Sequence, residues 1–144
     1  MVDPVTVPRD TELRALLGDA RTIAVVGLSS KAWRPSNEVA SYLRSKGYRI
    51  VPVNPNETEA LGERSYPSLR DIPKDVPIDI VDVFRRAEET PAVARDAVAI
   101  GAKALWLQEG IVNDEAGRIA AEAGLEVVMG VCIKVEIQRL DRRD

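Results

Sequence analysis

Short apolar runs alternate along the chain with amphipathic stretches of helical period. Residues 22–28 (TIAVVGL), 48–53 (YRIVPV), 78–84 (IDIVDVF), 103–108 (KALWLQ) and 125–130 (LEVVMG) are rich in β-branched residues and almost continuously hydrophobic. Strands covered on both faces read this way; strands with one wet face alternate. Between them, residues 36–47 (SNEVASYLRSKG) put Val39, Tyr42 and Leu43 on one helical face and end in Gly47, a C-terminal cap signal. Residues 88–102 repeat the device with Gly101 after Ile100, and residues 113–124 start at a capping Asn113 and end at Gly124. Residues 9–19 predict a helix ahead of the first strand, and residues 131–144 predict one that closes the chain.

Strand, helix and strand joined by short links predict βαβ units with right-handed crossovers. The expected fold class is α/β: a single-domain, Rossmann-like, doubly wound sheet of about five parallel strands, most simply in the order 3-2-1-4-5. The 144 residues suit one domain over 1–144, with 1–9 expected to be flexible. Pro and Gly punctuate a long connection over 54–77, with one helical turn expected near 68–72.

Composition narrows the chemistry. Hydrophobic residues make up 45% of the chain, enough for a core, and no run approaches the roughly 18 apolar residues of a membrane helix. The first residues lack a basic segment followed by an apolar one, so no signal peptide is expected. One cysteine, Cys132, cannot form an internal disulfide and fits a reducing, cytoplasmic location. The chain has no histidine, which removes the commonest general base and the commonest metal ligand; no metal is expected. A net charge of −3 argues against a broad nucleic-acid footprint and leaves room for a local basic patch that holds one small anion.

In doubly wound sheets, ligands sit outside the carboxyl ends of the strands where the strand order reverses. That rule gathers residues 28–37, 53–56, 84–86 and 108–110. The first of these loops, GLSSKAWR, is neither G-x-G-x-x-G nor G-x-x-x-x-G-K-[ST], so the dinucleotide and NTP-hydrolysing signatures fail. What remains is Gly27 for a tight turn, hydroxyls at Ser29 and Ser30, cations at Lys31 and Arg34, and a helix start at Pro35 and Ser36. Exposed amides and cations at a helix start attract anions. The plain alternative is a solvated turn with Ser36 as helix cap. Pro52, Val53, Asn54 and Pro55 form either a rigid turn or an apolar ledge for an adenine or ribose. Asn54 and Pro55 stand where a nicotinamide-binding fold places its ribose-binding acid, a mark against NAD.

Arg85 and Arg86 follow the third strand at the edge of the crevice, where they could meet a pyrophosphate. Asp79 and Asp82 read as caps or salt-bridge partners. Gln108 and Glu109 precede Gly110; without a His, Cys or metal partner in the pattern, Glu109 reads as a hydrogen-bonding or structural group. Cys132 is either a small buried hydrophobe or a thiol able to pair with a ligand's thiol. Trp33, in an otherwise polar loop, suits a ligand lid or a partner contact.

In order and spacing, GLSSKAWRPSNEVASYL, GYRIVPVNP, ALGERSYPSLRDIP, DIVDVFRR, IGAKALWLQEGIVNDEA and AGLEVVMGVCIKVE resemble the stand-alone CoA-binding domain family. These are small proteins similar to the nucleotide-binding domain of the succinyl-CoA synthetase α subunit, and the resemblance runs from about residue 10 to 140. It implies a Rossmann-like fold and coenzyme A as ligand. It also implies that Gly27, Ser29, Ser30, Lys31, Arg34, Pro35 and Ser36 cradle phosphates, and that Pro52, Val53, Asn54, Pro55, Phe84 and Arg85 flank the adenosine. Gln108, Glu109 and Gly110 complete the expected cofactor-binding set, with no catalytic residue. The chain departs from the family at its end, where Gly130 and Val131 precede Cys132 and Ile137 follows Glu136. The resulting expectation is a module that binds CoA or an acyl-CoA without chemistry of its own. The alternatives are a CoA-dependent or disulfide-handling enzyme using Cys132, and an interaction scaffold that has lost its ligand. A homodimer or a protein partner stays open.

Overall fold

The five apolar runs form one parallel sheet. The computed structural model describes residues 5–142. Along the chain lie α1 (Asp10–Asp19), β1 (Thr22–Val26), α2 (Pro35–Ser45), β2 (Arg49–Val53) and a small hairpin of β3 (Glu59–Ala60) and β4 (Glu63–Arg64). A 3-10 turn over Leu69–Asp71 stands where one helical turn is expected, and then come β5 (Ile80–Val83), α3 (Thr90–Ala99), β6 (Ala104–Leu107), α4 (Asp114–Glu122), β7 (Glu126–Met129) and α5 (Ile133–Asp141). The sheet order is β2-β1-β5-β6-β7, all neighbours parallel. The fold class is the expected α/β doubly wound sheet.

The strand order departs from expectation. Counting only the five sheet strands, it is 2-1-3-4-5, the other common doubly wound arrangement, and not 3-2-1-4-5. The outer edge of β2 is taken at its carboxyl end. Tyr66 donates its N–H to the Pro52 carbonyl (3.1 Å) and accepts from the Asn54 N–H (2.8 Å), so the connection after β2 caps that edge. The chain then returns past β1, and β5 docks on β1's free side, pairing Ile23 with Ile80 through Val26 with Val83. The reversal therefore falls between β1 and β5.

Side chains on alternate positions feed two cores. Ile23, Val25, Ile50, Ile80, Trp106 and Val128 face Leu13, Val39, Leu43, Ile133 and Ile137 of α1, α2 and α5. Ala24, Val26, Val81, Val83, Leu105 and Leu107 face Ala94, Ala97, Ala116 and Ala120 of α3 and α4. Burying each large aliphatic side chain contributes about 1.5–3 kcal/mol. The small alanine faces let α3 and α4 lie close to the sheet and to each other. Of the segment 1–9, residues 1–4 lie outside the described residues, while Thr6 and Met129 exchange two backbone hydrogen bonds (3.1 and 2.8 Å). Residues 143 and 144 of the closing segment also lie outside the described residues. Among the described residues, no helix is long and apolar enough to cross a membrane.

Candidate functional site

The reversal brings the ends of β1 and β5 against each other at Gly27. Its φ is +90°, its N–H donates to the Val53 carbonyl (2.7 Å), and a Cβ there would lie 2.4 Å from the Phe84 carbonyl oxygen. Only glycine fits both the left-handed turn and that approach. From this point the chain crosses to α2 in a loop framed by its own polar groups. Ser36 Oγ accepts from the Ser29 N–H (3.0 Å), and Ser29 Oγ accepts from the Lys31 N–H (3.1 Å). Asn37 Nδ2 donates to the Ser29 carbonyl (2.8 Å), and Asn54 Nδ2 donates to the Leu28 carbonyl (3.1 Å). Ser36 and Asn37 are buried, so these bonds are made out of water, where leaving them unmade is costly. Ser36 is not the helix cap: Arg34 stands at the N-cap, Pro35 begins the helix, and the Ser36 hydroxyl serves the loop instead.

The loop's charge is presented outward. Lys31 Nζ and the Arg34 guanidinium lie 5.7 and 4.8 Å from the centre of the Trp33 ring, which is 70% exposed, and neither cation forms an ion pair among the described residues. The Ser30 N–H donates to Glu57 Oε2 (2.8 Å). That bond and the nearby Lys31 charge hold the Glu57 carboxyl below the usual carboxylate range. Gly27, Ser29, Lys31, Arg34, Asn54 and Glu57 are among the walls of a hollow of about 390 Å³.

Two further hollows follow along the same edge. One of about 530 Å³ shares Pro35 and Phe84 with the first and adds Gln108, Glu109 and Cys132. The other, about 350 Å³, is walled by Val53, Pro55, Pro67 and Leu69 and shares Arg85 with the second. Fourteen of the sixteen expected binding residues thus line one of these hollows or take part in the framing bonds, and two do neither. Pro52 is buried within β2, and Gly110 sits in a turn (φ +80°) between Glu109 and Ile111, which wall the second hollow, without lining any of the three itself. Ser30 contributes its backbone to Glu57 without lining a hollow.

Several side chains already have partners. Gln108 is buried, and its Oε1 accepts from the Ile133 N–H (3.1 Å), which orients the start of α5. Arg85 is hydrogen-bonded to Glu89, and Arg86 Nε donates to Glu89 Oε2 (3.0 Å). The two guanidiniums hold Glu89 below the usual carboxylate range. Cys132, half-buried, stands at the N-cap of α5. Asp79 behaves as the sequence suggests: its Oδ2 accepts from the Arg21 and Thr22 N–H groups (2.8 and 3.0 Å), and Lys103 lies 3.5 Å away. Asp82 does not. It is fully buried with neither carboxylate oxygen hydrogen-bonded, and burial pushes its carboxyl well above the usual range. Glu57, Asn37 and Glu89 escape a reading of strand-end motifs: Glu57 meets Ser30 from 27 residues away, and Asn37 and Glu89, though close in sequence to Ser29 and to Arg85 and Arg86, lie outside the expected binding set. Among the described residues, no group of three or more metal-ligating side chains occurs.

Comparison with known proteins adds a family. Residues 21–138 match the model of the CoA binding domain. The chain is 44% identical over 128 residues to the uncharacterized protein YneT of Bacillus subtilis, covering 89% of this chain and 93% of that one. It superposes on the solved structure of a hypothetical protein from Pyrococcus horikoshii with a TM-score of 0.90, at 38% identity over 97% of both chains. It is also 33% identical over 85 residues to the ADP-forming acetate–CoA ligase II of Archaeoglobus fulgidus, covering 58% of this chain and 12% of that enzyme.

Proposed function

The chain belongs to the CoA binding domain family, and from that premise we propose that it binds coenzyme A or an acyl-CoA as a module without chemistry of its own. The observation that carries this reading is the framed loop at the strand reversal, where Lys31 and Arg34 are exposed and form no ion pair among the described residues. CoA carries a pyrophosphate and a further phosphate, and charge-assisted bonds from Lys31 and Arg34 suit them. The apolar ledge of Val53 and Pro55, with Pro67 and Leu69 opposite, suits the adenosine. The hollow beside Phe84 and Cys132 then receives the thiol-bearing arm. The missing glycine pattern and the Asn54 and Pro55 pair argue against NAD in the same cleft.

Calorimetric titration of the purified, ligand-stripped protein tests the reading. CoA is expected to bind at micromolar or tighter dissociation constants, about −8 kcal/mol, and NAD to give no heat. No heat with CoA would refute the proposal and leave an interaction scaffold on the same fold.

A further inference from the structure

The middle amide of the loop is already occupied by an anion. Of three consecutive N–H groups, those of Ser29 and Lys31 are held by two hydroxyls, Ser36 Oγ at the start of α2 and Ser29 Oγ of the loop. The Ser30 N–H is held by a carboxylate that reaches in from the connection after β2, Glu57 Oε2 at 2.8 Å. Glu57 is not a stray surface side chain there. Its own N–H donates to the Asn54 carbonyl (3.3 Å), and Asn54 in turn is bonded to the Leu28 carbonyl, so a framed turn presents the carboxylate to the loop. It walls the same hollow as Lys31 and Arg34. A carboxylate oxygen on a backbone N–H beside a lysine is the contact a phosphate oxygen would make. Two anions at one N–H repel, so a phosphate and Glu57 cannot both hold it.

Building on the phosphate-loop reading above, we propose that Glu57 is an internal anion that occupies the loop's phosphate position in the empty protein and is displaced by the ligand. The displacement sets a threshold. A lone phosphate exchanges one charge-assisted bond for another and gains little. A ligand with two or more phosphate groups adds contacts to Lys31 and Arg34 and displaces the carboxylate. The loop thereby selects polyphosphorylated nucleotides over orthophosphate.

The test titrates wild type, Glu57→Gln and Glu57→Asp with inorganic pyrophosphate and with CoA. The Gln variant removes the charge. The Asp variant keeps it but shortens the arm by one methylene and withdraws the oxygen from Ser30. Both variants are expected to bind at least fivefold more tightly than wild type. A gain confined to Gln would make Glu57 a long-range charge only, and equal or weaker binding by both would make it a structural or ligand-contacting group; either overturns the displacement. Tighter pyrophosphate binding by both variants with no CoA binding by any of the three would uphold the displacement and remove the CoA reading. Equal CoA binding by all three would do the reverse, and silence with both ligands throughout would remove both.

Discussion

Replacing Gly27 by alanine should destabilise the protein through one backbone contact, and the structure sets the size of the effect. A Cβ at φ +90° costs about 1–2 kcal/mol for the left-handed conformation alone. The same atom would sit 2.4 Å from the Phe84 carbonyl oxygen and 3.2 Å from its carbon, in a strand end that cannot yield as a flexible side chain would. Forcing the two strands apart adds about 1–3 kcal/mol, the usual cost of overpacking. The sum, about 2–5 kcal/mol, is a large part of the roughly 5–15 kcal/mol that holds a domain folded. Gly47→Ala is the control: its φ is +102°, but nothing lies within 4 Å of the added atom, so only the conformational cost applies. Urea denaturation of both variants, followed by circular dichroism, should place Gly27→Ala at least about 1 kcal/mol below Gly47→Ala with unchanged m. Equal losses would refute the claim that β1 and β5 meet too closely at Gly27 for any side chain. Because the contact lies at the strand reversal, Gly27→Ala should also weaken CoA binding, whereas Gly47→Ala should not.

Other consequences are testable independently. Lys31→Ala combined with Arg34→Ala should weaken CoA binding tenfold or more, at about 1.5–3 kcal/mol per charged hydrogen bond, while the melting temperature stays near that of wild type because both side chains are exposed; unchanged affinity would place the phosphates elsewhere. Of the two tryptophans, Trp106 is fully buried and Trp33 is 70% exposed, so iodide should quench only Trp33 fluorescence, and CoA should protect it; equal quenching with and without CoA would separate Trp33 from the site. Asp82 keeps its proton when folded and loses it when unfolded, at any pH between the ordinary carboxylate value and its raised one. Unfolding therefore releases a proton in that window, and stability falls with rising pH by about 1.4 kcal/mol per unit. Asp82→Asn should match wild type near pH 4 and exceed it increasingly toward pH 7; a constant difference across that range would mean that Asp82 does not titrate there.

Much of the architecture is legible in the chain because it depends on near neighbours. The β-branched runs at 22–28 and 78–84 have no polar face to offer water, so they read as strands of a doubly covered sheet. Asn113 marks the start of α4 because its side chain needs only the Ala116 N–H three residues on, and that bond forms (2.9 Å). The carboxyl-edge position of a site followed from the same local reading, since it requires only parallel strands. Ser36 is less legible, because a serine at a helix start has two local uses and only the folded loop shows which N–H its hydroxyl meets.

What the chain could not announce depends on partners far apart in sequence. The place of β5 beside β1 rests on pairing Ile23 with Ile80 through Val26 with Val83, between segments far apart in the chain, and no periodicity encodes it. The hold of Glu57 on Ser30 spans 27 residues, and the orphaned carboxyl of Asp82 exists only because helices cover that face of the sheet. Sequence by itself determined which segments become strands and helices, since backbone propensity and side-chain period act over a few residues. Tertiary structure alone decided which strand edges meet and which charges face each other, since those depend on the free energy of closing long loops around one packed core.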